Sequence, residues 1–294
     1  MLALAPAAAH AHTRQYWIAA VPVRWNVIPN ELDAISGMRY DASETILPTV
    51  TYRRYTRGFK RPMRVRDDRA AGVGQIPGPM IRARVGDHIH VHFKNLDTAT
   101  HSAHSMHFHG VEYPFASDGS YIPGFSGRGA NVAVGHTFTY HLHAGRQSAG
   151  VWPYHDHSPS MDASIAGGMF GELSILGRHQ RAPDHEFVVF LAALHGFETI
   201  DGHSFIGNTP VFHARLGDVV QWDVLTLGDE FHTFHVHGHR WIGPGGRPQD
   251  TRTIGPAESF YVRWREDRVG TWLYHCHVET HMMMGMIGLY RVRR

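Results

Sequence analysis

The chain alternates short runs of β-branched, aromatic and other apolar residues with clusters of turn formers. His136-Thr137-Phe138-Thr139-Tyr140, Phe187-Val188-Val189-Phe190-Leu191 and Val219-Val220-Gln221-Trp222-Asp223-Val224 read as strands, and long stretches with apolar residues at helical spacing are absent. The pattern predicts an all-β protein made of two antiparallel β-sandwich or Greek-key barrel domains. A length of 294 residues allows two well-buried cores, at about 150 residues per domain. The polar segment Gly177-Arg178-His179-Gln180-Arg181-Ala182-Pro183-Asp184-His185 follows a strand-like run and reads as a linker. We expect an N-terminal arm over 1–14, a first domain over 15–177, a linker over 178–186 and a second domain over 187–294.

The formal charge of +2 and the dispersed arginines leave no nucleic-acid footprint. No apolar run approaches the length of a membrane span. Residues Met1 to Ala11 resemble the end of a secretory signal with an Ala9-His10-Ala11 cleavage site, which predicts export to a secreted or periplasmic location. They lack a basic start, so we read the signal as truncated. The composition departs from the norm in its 26 histidines against a single cysteine, which cannot form an intrachain disulfide.

The same unit occurs twice. Ala83-Arg84-Val85-Gly86-Asp87 recurs as Ala214-Arg215-Leu216-Gly217-Asp218, and His104-Ser105-Met106-His107-Phe108-His109-Gly110 as His232-Thr233-Phe234-His235-Val236-His237-Gly238. Tyr154-His155-Asp156-His157 recurs as Tyr274-His275-Cys276-His277, and Gly168-Met169-Phe170-Gly171 as Gly285-Met286-Ile287-Gly288. Four blocks in one order mark an internal repeat. Two further histidine sets, His88, His90, His92 and His141, His143, read as ordinary strand faces.

Cys276 carries the sharpest chemistry. A lone thiolate with imidazoles and a thioether at close spacing, as in His232, Cys276, His281 and Met286, is the ligand set of a blue copper site. A free cysteine can also pack as a small hydrophobe, but that reading leaves the paired histidines unexplained. If 274–277 is a strand, Cys276 points to one face while His275 and His277 point to the other, so one peptide joins two metal sites. The corresponding first-half positions are His104, Asp156, Met161 and Met169. Asp156 offers no soft thiolate, so the first domain should lack a blue copper.

On these motifs the chain resembles the multicopper oxidases, from about Gln15 to the C-terminus and including Ile76-Pro77-Gly78-Pro79-Met80-Ile81, and its length is similar to that of the two-domain bacterial laccases. The resemblance implies cupredoxin domains and four coppers per chain: one type 1, one type 2 and two type 3. It implies type 1 ligands His232, Cys276 and His281 with axial Met286, and type 2 ligands His107 and His235. His109, His155, His157, His237, His275 and His277 would hold the type 3 pair. It further implies a phenolic or aromatic amine donor, dioxygen as acceptor, and a homotrimer whose trinuclear clusters lie between chains. Cuprous-ion oxidation is the second reading of the donor. Copper nitrite reduction and electron transfer without catalysis rank lower, since both leave paired histidines without a role. Asp118 is proposed as a proton relay, against a plain turn role in Ser117-Asp118-Gly119-Ser120. Tyr113, proposed as a residue beside the cluster, is read against a packed core tyrosine. Met282, Met283 and Met284 are read as an apolar shield for the blue site.

Overall fold

The computed structural model describes residues 11–64 and 75–294. The signal-like segment falls on residues outside the described ones, apart from Ala11. Among the described residues, no helix is long and apolar enough to cross a membrane.

The first repeat contributes β1 (Thr13–Asn26), β2 (Ile46–Tyr55), β3 (Ile81–Arg84), β4 (His88–Asn95), β5 (His107–Phe108), β6 (Thr137–His143), β7 (Gly150–His155) and β8 (Phe170–Leu176). The second contributes β9 (His185–Leu194), β10 (Phe197–Ile200), β11 (Val211–Arg215), β12 (Val219–Thr226), β13 (His232–Val236), β14 (Trp241–Ile242), β15 (Pro248–Gln249), β16 (Thr251–Ile254), β17 (Ser259–Arg265), β18 (Gly270–Cys276) and β19 (Ile287–Arg293). The helices are single turns or little more: α1 (Ala42–Thr45), α2 (Met161–Ala166) and α3 (Glu279–Met283). β1 begins at Thr13 and β9 at His185, so strand structure reaches two residues into both the expected arm and the expected linker.

Sheet order shows the duplication directly. The sheets β2-β1-β4-β6 and β3-β8-β7-β5 of the first repeat match β10-β9-β12-β17 and β11-β19-β18-β13-β16 of the second, strand for strand up to the added β16. Most neighbouring strands pair antiparallel, as expected of a β-sandwich or Greek-key barrel, but β1 pairs parallel with β4, β3 with β8, β9 with β12 and β11 with β19. Each parallel pair joins strands separated by a longer excursion of the chain. Alternation of side chains reports which face is buried and carries no information on the direction of the neighbouring strand.

Three apolar layers stack the four sheets in sequence. Ile18, Val91 and Phe93 meet Phe108, Tyr154 and Leu173 inside the first unit, and Val189, Trp222 and Val262 meet Phe234, Tyr274 and Tyr290 inside the second. Between the units, Ile76, Met80 and Phe170 meet Val188, Phe190, Ala192, Leu194 and Leu225. β9 is therefore buried on both faces, with Phe187, Val189 and Leu191 facing one core and Val188, Phe190 and Ala192 the other. That double burial explains its unbroken apolar run. Phe170 and Phe190 stack across the interdomain layer with centroids 4.2 Å apart. Ser259 also donates a hydrogen bond to the Val151 carbonyl across it.

The histidine sets read as strand faces form a ladder. β4 and β6 pair His88 with His143 and His90 with His141, and these rings approach to 4.9 and 4.6 Å. Phe190→Ala should lower unfolding free energy by about 3–5 kcal/mol, as for other buried aromatic truncations, measured by urea denaturation; a change under about 1 kcal/mol would contradict a packed interdomain layer.

Candidate metal centre

The pairing of β13 with β18 builds the sulfur site. Phe234 lies opposite Cys276 and His235 opposite His275, so strand alternation turns Cys276 into the core of the second unit and His275 away from it. α3 then returns His281 to the same place. Cys276 Sγ lies 3.8 Å from the Nδ1 atoms of both His232 and His281, and those two nitrogens are 3.2 Å apart. Met286 is buried in the same core, and the loop that carries it is tied down by Cys276 N–H donating to the Met286 carbonyl and Met286 N–H to that of His281. Burial pushes the Cys276 thiol up and, with His281, pushes His232 down to about 4. Two imidazole nitrogens and a sulfur facing one another in a dry pocket repel unless a soft cation joins them, so the donor set fits copper. Of the methionine run expected to shield this site, Met282 is part-buried while Met283, at the end of α3, and Met284, just beyond it, are half exposed.

On the opposite side of Cys276 lies a nest of imidazoles, and the first unit holds its twin. His235, His237, His275 and His277 approach with centroids 5.1–5.5 Å apart. His107, His109, His155 and His157 do so at 5.1–5.6 Å. In each nest two rings are fixed from behind through Nδ1. His107 bonds the Asp118 carbonyl at 2.7 Å, His155 that of Asp156 at 2.9 Å, His235 that of Asp250 at 2.7 Å and His275 that of Cys276 at 2.8 Å. An Nδ1–H engaged in this way leaves a lone pair on Nε2, the tautomer a metal requires. The Nε2 atoms face one another, at 3.2 Å between His109 and His155 and 3.1 Å between His237 and His275. Burial, reinforced by neighbouring imidazoles, drives His155 down to about 3 and His109 and His275 to about 4.

The glycine that follows each His pair now has a physical reason. Gly110 and Gly238 adopt φ of +72° and +70°, and a Cβ would lie 2.1 Å from Trp152 and 2.7 Å from Trp272 respectively. The chain turns there beneath an indole.

The first unit keeps the fold of the sulfur site and fills it differently. His104 lies between Asp156 at 3.3 Å and Asp97 at 3.2 Å, and Asp156 also accepts from Ser105 N–H and Ser158 hydroxyl. Burial opposes its charge, but the two carboxylates outweigh it and raise the His104 pKa. Met161 opens α2 and Met169 is fully buried.

Asp118 acts on His107 first through its backbone carbonyl; its carboxylate is 3.7 Å from the same nitrogen and also accepts Ser120 N–H at 3.3 Å. The relay and turn readings therefore share one residue. Tyr113 meets the His107 ring edge-on at 6.2 Å and packs partly against the first core. Burial and then the Asp118 charge raise its pKa. Residues not anticipated from sequence are Asp97, Asp250, and a carboxylate pair, Glu198 and Glu230, grouped with His281 within 4.8 Å. Burial and Glu230 push Glu198 up to about 7. Glu230, two residues before His232, carried a local hint; Glu198 arrives from the β9–β10 hairpin and carried none.

Within one chain, and among the described residues, no ring contact joins the two nests. They lie on the second and fourth sheets of the stack, two intersheet spacings or about 20 Å apart in the stacking direction.

Two multicopper oxidase family models match this chain, over residues 60–180 and 180–294, and the chain belongs to the multicopper oxidases. That family binds type 1, type 2 and type 3 copper. The chain is similar, at 31% identity over 75% of its length, to a probable nitrite reductase-hydroxylamine oxidoreductase fusion protein of Kuenenia stuttgartiensis, and at 26% over 95% to human Ferroxidase HEPHL1. It spans 28% and 29% of those two relatives. Among solved structures, its fold matches the blue copper oxidase from Nitrosomonas europaea with a TM-score of 0.71 at 21% identity, covering 95% of this chain and 86% of that one. The copper nitrite reductase from the same organism gives 0.67 at 20%, covering 95% and 94%. The two units are accordingly cupredoxin domains.

Protons compete with copper for these nests only where the rings titrate. Since His155 is held at about 3 and His109, His275 and, at the sulfur site, His232 at about 4, copper bound at pH 7 should be retained at pH 5.5 and lost as pH falls towards 4. Metal analysis after gel filtration at each pH checks this; loss near pH 6.5 would show rings of ordinary basicity.

Proposed function

We propose that this chain couples one-electron oxidation of a reducing substrate to four-electron reduction of dioxygen to water. The observation that carries it is the end of β18, which presents Cys276 to one metal-binding group and His275 to another, with His277 just beyond the strand packing its ring against His235 and His275. The coppers, when bound, supply one-electron transfer at the sulfur site and dioxygen reduction at the cluster. His232, Cys276 and His281 would hold type 1 copper with Met286 as axial partner. His107 and His235 would hold type 2, and His109, His155, His157, His237, His275 and His277 the type 3 pair. Asp118 would receive and pass protons, a role supported by its carboxylate 3.7 Å from His107, and Tyr113 would support the same ring, which it meets edge-on.

A cluster that draws ligands from both nests requires a first domain of one chain against a second domain of another, which a closed head-to-tail ring provides. We infer a homotrimer. The separation of the nests by a whole sheet supports this reading, and so does the partial exposure of His107, His157, His235, His237 and His277 in the single chain. Nitrite reduction ranks lower, because the cysteine lies in the second domain and the eight paired histidines exceed what that reaction requires.

Phenols and aromatic amines, reacting at the outer edge of His281, are our first reading of the donor. The Glu198–Glu230 pair favours a second, a low-valent metal ion: His281 Nε2 lies 3.8 Å from Glu230, and the buried Glu198 Oε2 receives no N–H or hydroxyl and faces the Glu230 carboxyl. Ferroxidases among the relatives point the same way. Carboxylate oxygens suit a ferrous ion better than a soft cuprous one.

Cys276→Ser should abolish the blue absorption and reduce donor-driven oxygen uptake to background; persistent phenol turnover would refute the scheme. Dilution to monomers should release type 2 and type 3 copper before type 1, followed by electron paramagnetic resonance, and a fully loaded active monomer would refute the interchain cluster. Glu198→Gln should raise KM for ferrous ion about tenfold, equal to about 1.4 kcal/mol, with phenol kinetics unchanged; parallel losses with both donors would remove the metal-ion reading.

A further inference from the structure

A second group of convergent carboxylates lies in the layer between the domains, on the other face of the β9–β12 sheet from the core that holds Cys276. Glu172 on β8 belongs to the first unit, and Glu186 on β9 and Asp223 on β12 to the second; one oxygen from each lies within 4.8 Å of the others. Glu172 is 1% exposed and Asp223 fully buried. Most buried polar atoms find hydrogen-bond partners, yet no N–H or hydroxyl reaches either Glu172 oxygen or Asp223 Oδ2; they face only the carboxyls of the same group, and with no cation between them burial and that crowding raise Glu172 and Asp223 well above the usual carboxylate range. The remaining oxygens are engaged: Gln221 Nε2 donates to Asp223 Oδ1, Ser174 hydroxyl to Glu186 Oε1, and Arg82 to Glu186 Oε2. Asp201, the next buried carboxyl, lies outside the group and accepts Phe190 N–H.

From this geometry we propose that Glu172, Glu186 and Asp223 form a site for a hard divalent cation, of the calcium class, that fastens the two domains together. Ionised, the three carboxylates beside one guanidinium leave a deficit of two positive charges, which one divalent ion cancels. Oxygens bound to one calcium at about 2.3–2.6 Å can be at most about 5 Å apart, which the 4.8 Å limit satisfies. The donor set contains oxygen and no nitrogen or sulfur, so it selects against copper. The ion would lie between strands of different domains and contribute to their docking without touching the copper ligands.

The copper-loaded protein, purified without chelators, should contain about one calcium, magnesium or manganese per chain by elemental analysis. Chelation with EGTA should lower the melting temperature by about 5–10 °C, the range expected when a bound ligand is withdrawn from a domain-sized structure. Calcium chloride should restore it and copper sulfate should not. Glu172→Gln and Asp223→Asn should lose the cation and the EGTA response while keeping the blue absorption. If either variant fails to fold, the cation content and calcium rescue of the unmodified protein decide the matter. Absence of a stoichiometric hard cation together with a melting temperature indifferent to EGTA and calcium, or rescue by copper alone, would overturn the proposal and assign protons to the buried carboxyls.

Discussion

The site depends on the antiparallel register of β13 and β18. With Phe234 opposite Cys276 and His235 opposite His275, the two-residue period of a strand places sulfur on one side of the sheet and imidazoles on the other. A slip of one residue would exchange the faces, sending Cys276 to the nest and His275 to the core. Register is held by burial on the inner face, where Phe234, Val236, Tyr274 and Cys276 pack together. The chemistry thus borrows its precision from the hydrophobic core.

Much of this was legible in the chain before any coordinates. Repeated blocks give the duplication, because equal folds need the same turn glycines, histidine pairs and buried aromatics at the same places. Paired histidines one residue apart betray a strand that presents both rings to one face. What could not be read was which strand lies beside which, and in which direction. The parallel pairs β1 with β4 and β9 with β12 leave no mark on local alternation. For the same reason Glu198 stayed hidden: its role depends on a hairpin remote in sequence reaching His281.

The layered stack also organises the assembly. β9 buries both its faces, so the domains dock through a layer that belongs equally to both cores. That docking keeps each histidine nest on its own sheet, and it brings Arg82, Ser174 and Glu172 of one unit against Glu186 and Asp223 of the other. Apolar stacking supplies most of the attraction, and the embedded polar group limits how the layers can slide.

The first unit retains a pocket in which Asp97 and Asp156 grip His104 where its twin would take up a metal. The two carboxylates raise the His104 pKa and so favour a positive ring at the position where the second unit would hold a cation. The duplicated fold therefore carries one sulfur-centred donor set per chain, while its first unit closes the matching pocket with acid and base and still presents a full nest of imidazoles.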